Sequence, residues 1–181
     1  LGYSLQVAVF RAKQRNEHER EMYRLRLADN MSNPNQLLFI DETHKSANAA
    51  RRRRAWAPKG KTPVVDAYFD QGYSKRYTLI GACDINGFVL EACELVEREH
   101  GEDDTDSERG TVNMERFERY IAECVVPVLG NFALNQPRSI VIMDNATIHI
   151  SELVQDLISD AGALLIYTAP YSPDLNPIEF M

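Results

Sequence analysis

The sequence predicts an α/β fold in which helices flank a mixed β-sheet. Two observations support this prediction: a pair of apolar runs joined by an Asn-Gly turn, and later apolar runs that alternate with helical segments. A hairpin supplies antiparallel strands and strand–helix–strand units supply parallel ones, so both kinds of pairing are expected. The length of 181 residues is sufficient for one domain with a sizeable core.

Residues 5–29 form the first predicted helix, because they are rich in Arg, Lys, Glu and Gln and contain neither Gly nor Pro. Opposite charges three residues apart, such as Glu17 and Arg20, favour a solvated helix. A stretch containing Asn and Pro ends it. Residues 36–41 follow as a short apolar run that ends in Asp41, which is typical of a buried strand.

Two further strands are predicted over residues 76–84 and 87–96, joined through Ile85-Asn86-Gly87. An Asn-Gly pair between apolar runs is a strong signal for a β-hairpin. Residues 100–110 are polar and acidic, so we expect an exposed loop there.

The last third of the sequence alternates helices with strands. Apolar residues repeat every three to four positions in the first helix, as in an amphipathic helix. Asn113 and Ser151 stand where N-caps are expected, and Gly162 closes the second helix. The predicted elements are a helix over 113–129, a strand over 139–144, a helix over 151–160, a strand over 163–168 and a helix that begins at Pro177.

The composition leaves the class of binding partner open. A net charge of -7 argues against nucleic acid, because DNA-binding surfaces are usually basic. The charge is uneven, however, with a basic block at Arg51–Arg54 and an acidic segment over 97–108. No apolar run reaches about 18 residues, so no membrane association is expected. The three scattered cysteines indicate neither a zinc site nor a disulfide framework.

Three carboxylates are candidates for a metal site. Asp41 and Asp144 each end an apolar strand, and Glu179 stands at a helix start just after another strand. Ligands of such sheets bind outside the carboxyl ends of the strands, where close carboxylates favour a cation such as Mg²⁺. From chemistry alone Glu42 is an alternative to Asp41. Each carboxylate taken singly could instead form a turn or cap a helix.

Four blocks of the sequence resemble the mariner superfamily of transposases, most closely the branch that includes bacterial insertion sequences and many eukaryotic elements. Between the second and third candidate carboxylates lie 34 residues, the spacing of one main subgroup. The resemblance extends from Leu37 to Glu179. The blocks are DETH at 41–44, RAWAPKG at 54–60, DNATIH at 144–149 and PYSPDLNPIE at 170–179.

The resemblance implies a ribonuclease H-like fold with a catalytic triad of Asp41, Asp144 and Glu179. The triad would bind two Mg²⁺ ions, with Mn²⁺ as a substitute. Water would first attack the phosphodiester at the ends of the element, and the freed 3′-hydroxyl would then attack target DNA at a TA dinucleotide. Members of the family act as dimers on paired DNA ends, so a homodimer is expected.

Several polar residues are candidates for DNA contacts. Arginine forks suit phosphate, although the basic block could also be a nuclear-import signal or a solvated hairpin edge. Asn145 could contact phosphate, orient Asp144 or form the turn after its strand. His149 could contact phosphate, orient Asp144, or cap or pack the next helix. The candidate DNA-binding residues are Arg51, Arg52, Arg53, Arg54, Lys59, Asn145 and His149.

Residues 1–30 are interpreted as a linker helix, the tail of a DNA-binding region, and residues 31–181 as a catalytic domain truncated at its C-terminus. One alternative function is a transposase-derived DNA-binding or interaction module that has lost catalysis. Another is a nuclease of the same fold that acts on RNA–DNA hybrids. A nuclear location is expected if the host is eukaryotic, and a cytoplasmic one otherwise.

Overall fold

A computed structural model describes residues 14–46, 76–98 and 112–180. These residues form a six-stranded mixed sheet with helices on both faces, which confirms the predicted α/β class. Among them, no helix combines the length and apolar character needed to cross a membrane. The elements are α1 (Glu17–Asn30), β1 (Leu37–Ser46), β2 (Arg76–Asp84), β3 (Gly87–Phe88), β4 (Glu94–Arg98), α2 (Met114–Tyr120), β5 (Ile140–Met143), α3 (Glu152–Asp160) and β6 (Leu164–Tyr167).

The sheet changes from antiparallel to parallel pairing at β1. β1 runs antiparallel to β2, which pairs in turn with β3 and β4. On its other edge β1 runs parallel to β5, and β5 runs parallel to β6. The carboxyl ends of β1, β5 and β6 therefore point the same way, and the candidate site lies there.

Strand β1 is longer than predicted and continues past Asp41 to Ser46. Its parallel pairing with β5 stops at Phe39, but its antiparallel pairing with β2 continues, with Asp41 opposite Gly81. The prediction that this strand ends in Asp41 was therefore wrong. Pairing with a partner strand, which the apolar pattern of β1 does not encode, carries the strand beyond its apolar part.

The second strand of the predicted hairpin is interrupted. A 3₁₀ turn at Leu90–Ala92 separates β3 from β4, although both pair with β2. The turn buries Ala92, whose carbonyl accepts a hydrogen bond of 2.8 Å from the Tyr120 hydroxyl of α2. The hairpin is thus broken where α2 packs against it.

The helix ends follow the predicted capping chemistry. Asn113 accepts a hydrogen bond from the Arg116 N–H, and Ser151 accepts one from the Val154 N–H. The chain stays helical after α2 through a π turn at Ile121–Val125 and a 3₁₀ turn at Val126–Val128. The described part of the first helix begins at Glu17, capped by Asn16; residues 5–13 and 100–110 lie outside the described residues.

Two apolar clusters hold the layers together, one on each face of the sheet. Successive residues of β5 point to opposite faces. Val141 and Met143 belong to the cluster beneath α2 and α3, whereas Ile140 and Ile142 belong to the cluster beneath α1. Tyr23 is the buried aromatic that α1 contributes to the second cluster.

Candidate active site

The three candidate carboxylates line one cavity of about 390 Å³ at the carboxyl ends of the parallel strands. Asp41 lies in β1 just beyond its pairing with β5, and Asp144 follows β5 directly. Glu179 lies in a 3₁₀ turn at Pro177–Phe180. The structure therefore brings together three residues that are up to 138 positions apart in the sequence.

Asp41 is half-buried, and both of its carboxylate oxygens are held. One oxygen accepts the Glu42 N–H at 2.8 Å, and the other accepts the Asn176 side-chain amide at 3.0 Å. Burial raises the pKa of Asp41 to about 6, and the charges of Glu179 and Asp144 contribute in the same direction against the lowering effect of the Glu42 N–H. A cation in the cavity would relieve this repulsion.

Asp144 is more exposed and differently held. Its Oδ1 accepts the Ala146 N–H at 2.9 Å and bonds His149 Nδ1 at 2.6 Å. The hydrogen bond from His149 holds the pKa of Asp144 below its ordinary value, although burial acts in the opposite direction. Asp144 is therefore ionised at neutral pH, and its other oxygen is left for the cavity.

His149 connects this aspartate to a fourth carboxylate. The imidazole is fully buried, and its Nε2 lies 2.9 Å from Glu42 Oε1. Its ring also packs 4.3 Å from the ring of Phe117. Burial opposes the charged ring, but hydrogen bonds to Asp144 and Glu42, together with their charges, raise the pKa of His149 to about 9. At neutral pH both ring nitrogens therefore donate to carboxylates.

The environment of His149 bears on its candidate roles. Each ring nitrogen is engaged by a carboxylate, so neither faces a phosphate in this arrangement. The geometry instead favours the alternative in which His149 orients Asp144. From the sequence, Glu42 is only an alternative metal ligand to Asp41. Its pairing with His149 could not be predicted, because the two residues are 107 positions apart and no local pattern connects them.

Asn176 is a second residue whose role the sequence did not reveal. It is buried, donates to Asp41 and accepts the Ile178 N–H at 3.2 Å through its side-chain oxygen. The backbone N–H of Glu179 donates to the Asn176 carbonyl at 3.3 Å. One asparagine thus holds the first carboxylate and shapes the turn that carries the third.

Gly81 provides the space for this turn. It lies opposite Asp41 in the sheet, and a β-carbon at Gly81 would stand 3.3 Å from Ile178 Cδ1 and from the Phe88 ring. The side chain next to Glu179 therefore packs directly over a glycine of β2. A larger residue would displace the segment that positions Glu179.

The donor set suits divalent cations that keep water and phosphate ligands. Among residues 14–46, 76–98 and 112–180, no three His, Cys, Asp or Glu side chains are grouped closely enough to hold one ion together. Magnesium does not require such a group, because it is usually held by one or two carboxylates and completes its shell with water and substrate phosphate. Asp41, Asp144 and Glu179, facing one cavity, match that requirement.

The remaining predicted contacts divide into two groups. Asn145 is exposed beside Asp144 at the cavity, and its amide donates to the Thr168 carbonyl at 3.2 Å, which ties the ends of β5 and β6 together. The basic residues of the prediction lie outside the described residues: Arg51, Arg52, Arg53, Arg54 and Lys59.

The mixed sheet, with its acidic cavity at the carboxyl ends of the parallel strands, defines a ribonuclease H-like α/β domain. Residues 36–181 match the model of the DDE superfamily endonucleases, and the chain belongs to that family. This match confirms the resemblance at the level of the DDE superfamily, and solved mariner transposases share the fold. No match was found among curated protein sequences.

Several solved structures share the fold. The Mos1 transposase paired-end complex with left transposon end superimposes with a TM-score of 0.67 at 19% identity, over 99% of this chain and 51% of that chain. The mariner Mos1 paired-end complex with Mg gives 0.63 at 19% identity, over 99% and 51%. The catalytic domain of Mos1 mariner transposase gives 0.56 at 18% identity, over 97% and 71%. The chain thus spans about half the length of the Mos1 chains in the complexes.

Proposed function

We propose that this chain is the catalytic domain of a cut-and-paste DNA transposase, in which Asp41, Asp144 and Glu179 bind catalytic Mg²⁺ or Mn²⁺. The observation that carries the proposal is that these three carboxylates line one cavity in a member of the DDE endonuclease family. The Mos1 complexes with Mg and with Mn support a divalent metal, and we propose two ions.

The proposed chemistry is in-line displacement at phosphorus. In the first step a water oxygen forms a bond to phosphorus at the element's end, the bond to the 3′ oxygen breaks, and that oxygen leaves as a hydroxyl. In the second step the freed 3′-hydroxyl attacks a phosphodiester of the target, and a new 3′-hydroxyl leaves. Bound Mg²⁺ supplies Lewis-acid activation of the phosphate and of the attacking oxygen.

The chain's own residues position these reactants. Asn176 and the Glu42 N–H fix Asp41, while His149 and the Ala146 N–H fix Asp144. Because each of these two aspartates accepts hydrogen bonds from two donors, the orientation of its carboxylate is set before DNA binds. Polar groups that are held in place before the reaction stabilise the charge that develops in the transition state, and this effect accounts for much of the rate enhancement in many enzymes.

DNA is the proposed partner, and the Mos1 paired-end complex with left transposon end supports that choice. We propose the element's ends and a TA target as substrates, a homodimer as the acting species and no membrane association. Arg51–Arg54 and Lys59 are proposed phosphate contacts, and Asn145 stands exposed at the cavity to make another. Residues 1–30 are proposed to link this domain to a DNA-recognition region, in the nucleus of a eukaryotic host or the cytoplasm of a bacterium.

Manganese titration calorimetry tests the metal site. Glu179→Gln removes one charge from an exposed ligand, and Asp144→Asn removes another, so each is expected to weaken Mn²⁺ binding at least about tenfold. Glu152→Gln is the matched control, because Glu152 is exposed in the first turn of α3, outside the cavity. Manganese-dependent nicking of supercoiled DNA should fall with the same two variants.

Equal Mn²⁺ affinity in all four proteins would contradict the metal assignment. Retained nicking by both cavity variants would contradict the catalytic one. The alternative, an inactive DNA-binding or interaction module, predicts DNA binding with neither metal-dependent nicking nor a loss of Mn²⁺ affinity in the two variants. The common cavity of the three carboxylates argues against it.

A further inference from the structure

A buried arginine of α1 contacts the segment that carries Glu179. Arg20 is 1% exposed, and its Nη1 and Nη2 lie 2.9 and 2.8 Å from the two carboxylate oxygens of Asp174. This two-point geometry is among the strongest that a side-chain pair can form. Asp174 stands in the 3₁₀ turn Pro173–Leu175, and Arg15 adds a longer contact of 3.5 Å to it.

The ion pair lies near the start of the helix. A groove of about 750 Å³, lined by residues along α1 from His18 to Asn30, lies between the helix and residues 167–170 at the end of β6. Tyr23, one turn after Arg20, packs in the same apolar cluster as Ala169 and Leu175. Leu27, one turn further along, packs against the same cluster, so the ion pair adds a polar contact to the apolar packing of α1.

The partner of Arg20 is only two residues from the asparagine that fixes the first carboxylate. The amide N–H of Asn176 bonds the Pro173 carbonyl at 2.9 Å, so the turn containing Asp174 determines where Asn176 stands. Asn176 in turn donates to Asp41 and, through its carbonyl, accepts the backbone N–H of Glu179. A displacement at Asp174 would therefore reach two of the three carboxylates.

A buried guanidinium is costly unless it is fully paired, so the pair acts as a single unit. The hydrogen bonds from Arg20 also hold the pKa of Asp174 below its ordinary value, which keeps the pair ionised at neutral pH. If α1 shifts, either the turn moves with it or the buried arginine keeps only its 3.4 Å contact with Glu17 of its own helix. The turn Pro173–Leu175 is far smaller than the helix and would follow it.

We propose that Arg20 is a positioning residue of the active site, and that the docking of α1 through the Arg20–Asp174 pair sets the geometry of Asp41 and Glu179. The proposal rests on the proposed function, because it assumes that these carboxylates bind the catalytic metal. According to this proposal, a displacement of α1 changes the geometry of the acidic cavity through the Arg20–Asp174 pair.

Arg20→Met tests the connection, since methionine fills the buried space without the charge. The amide N–H groups of Leu175, Asn176 and Glu179, which bond within the segment, are expected to exchange with deuterium at least about tenfold faster. The affinity for Mn²⁺ is expected to fall about 10- to 100-fold, the usual cost of losing a residue that orients a ligand. Arg24→Met is the matched control, because Arg24 lies on the same helix in an exposed pair with Glu21.

Asp174→Asn makes the same test from the exposed side of the pair, and is the variant of choice if Arg20→Met does not fold. Arg20→Lys, which keeps the charge but not the two-point contact, should recover part of the Mn²⁺ affinity. A lower Tm in Arg20→Met and Asp174→Asn, with exchange and Mn²⁺ affinity as in the unaltered protein, would show a merely structural role and overturn the proposal.

The two proposals fail in different ways. If the unaltered protein binds no Mn²⁺, the proposed function fails, and the exchange experiment still decides whether α1 orders the segment. If Glu179→Gln weakens Mn²⁺ binding but Arg20→Met changes neither binding nor exchange, the metal site stands and the role of Arg20 is refuted.

Discussion

At the scale of single residues, the site depends on a charge balance around His149. A protonated imidazole lies between Glu42 and Asp144, so two negative charges and one positive charge share a largely buried space. Removing the ring would leave Glu42, whose side chain is only 12% exposed, without this partner. The histidine therefore supports the fold and orients Asp144 at the same time.

The stability of the metal-free protein should depend on the ionisation of His149. The pKa of His149 is about 9 in the folded chain, above its unfolded value of 6.5. The contribution is therefore fully present below pH 6.5 and is lost as pH rises through about 9, and it should be on the order of 3 kcal/mol. The measurement is the free energy of unfolding in urea with EDTA, from pH 6 to pH 10.

Two variants serve as controls for that pH profile. His149→Asn should be less stable at pH 6 by a similar amount and should lack the fall between pH 6.5 and 9. His18→Asn changes an exposed residue of α1 and should keep the profile of the unaltered protein. A profile that is flat in the unaltered protein would mean that His149 is neutral when folded.

At the scale of elements, the turn at Pro177–Phe180 packs closely against strand β2. Ile178 packs over Gly81, which lies directly opposite Asp41 in the sheet. Nothing in the sequence around Gly81 marks this role, because the residue that needs the space is 97 positions away. The glycine is required by close approach and not by its backbone conformation.

Gly81→Val should disturb the site more than the fold. The added side chain meets Ile178 and the Phe88 ring, so overpacking should cost about 1–3 kcal/mol in the free energy of unfolding. The displaced turn should also weaken Mn²⁺ binding severalfold. Leu95→Val places the same side chain on an exposed position of β4, outside the cavity, and should leave both quantities nearly unchanged. Full Mn²⁺ affinity in Gly81→Val would mean that the turn tolerates displacement.

At the scale of the whole molecule, the two faces of the sheet support different carboxylates. The face covered by α2 and α3 supports Asp144, because His149 packs on Phe117 within that cluster. The face covered by α1 supports the opposite side of the cavity through Asp174. The acidic cavity at the strand ends is therefore the place where both layers meet.

This division explains what could be predicted from the sequence. Apolar runs and caps are local, so the strands around Asp144 and the helix capped by Ser151 could be predicted. The extension of β1 and the pairing of His149 with Glu42 depend on partners 30 to 107 residues away, and local patterns contain no trace of them. The grouping of three carboxylates in one cavity followed from strand order together with the family resemblance.

The whole-molecule charge leads to the last prediction. The chain carries a net charge of -7, so a DNA surface on it must be confined to a basic patch, and Arg51–Arg54 is the densest basic run of the sequence.

Each bound phosphate releases counterions, so the logarithm of DNA affinity falls linearly with the logarithm of salt concentration. Replacing all four arginines by glutamine should lower the magnitude of that slope by up to about four, roughly one for each phosphate that is no longer neutralised. The comparison is a fluorescence anisotropy titration of duplex DNA between about 50 and 200 mM salt. Arg24→Gln with Arg119→Gln removes two exposed charges from α1 and α2 and should leave the slope almost unchanged. An unchanged slope in the fourfold variant would place the phosphate-binding residues elsewhere and favour the alternative in which this run is a solvated hairpin edge or an import signal.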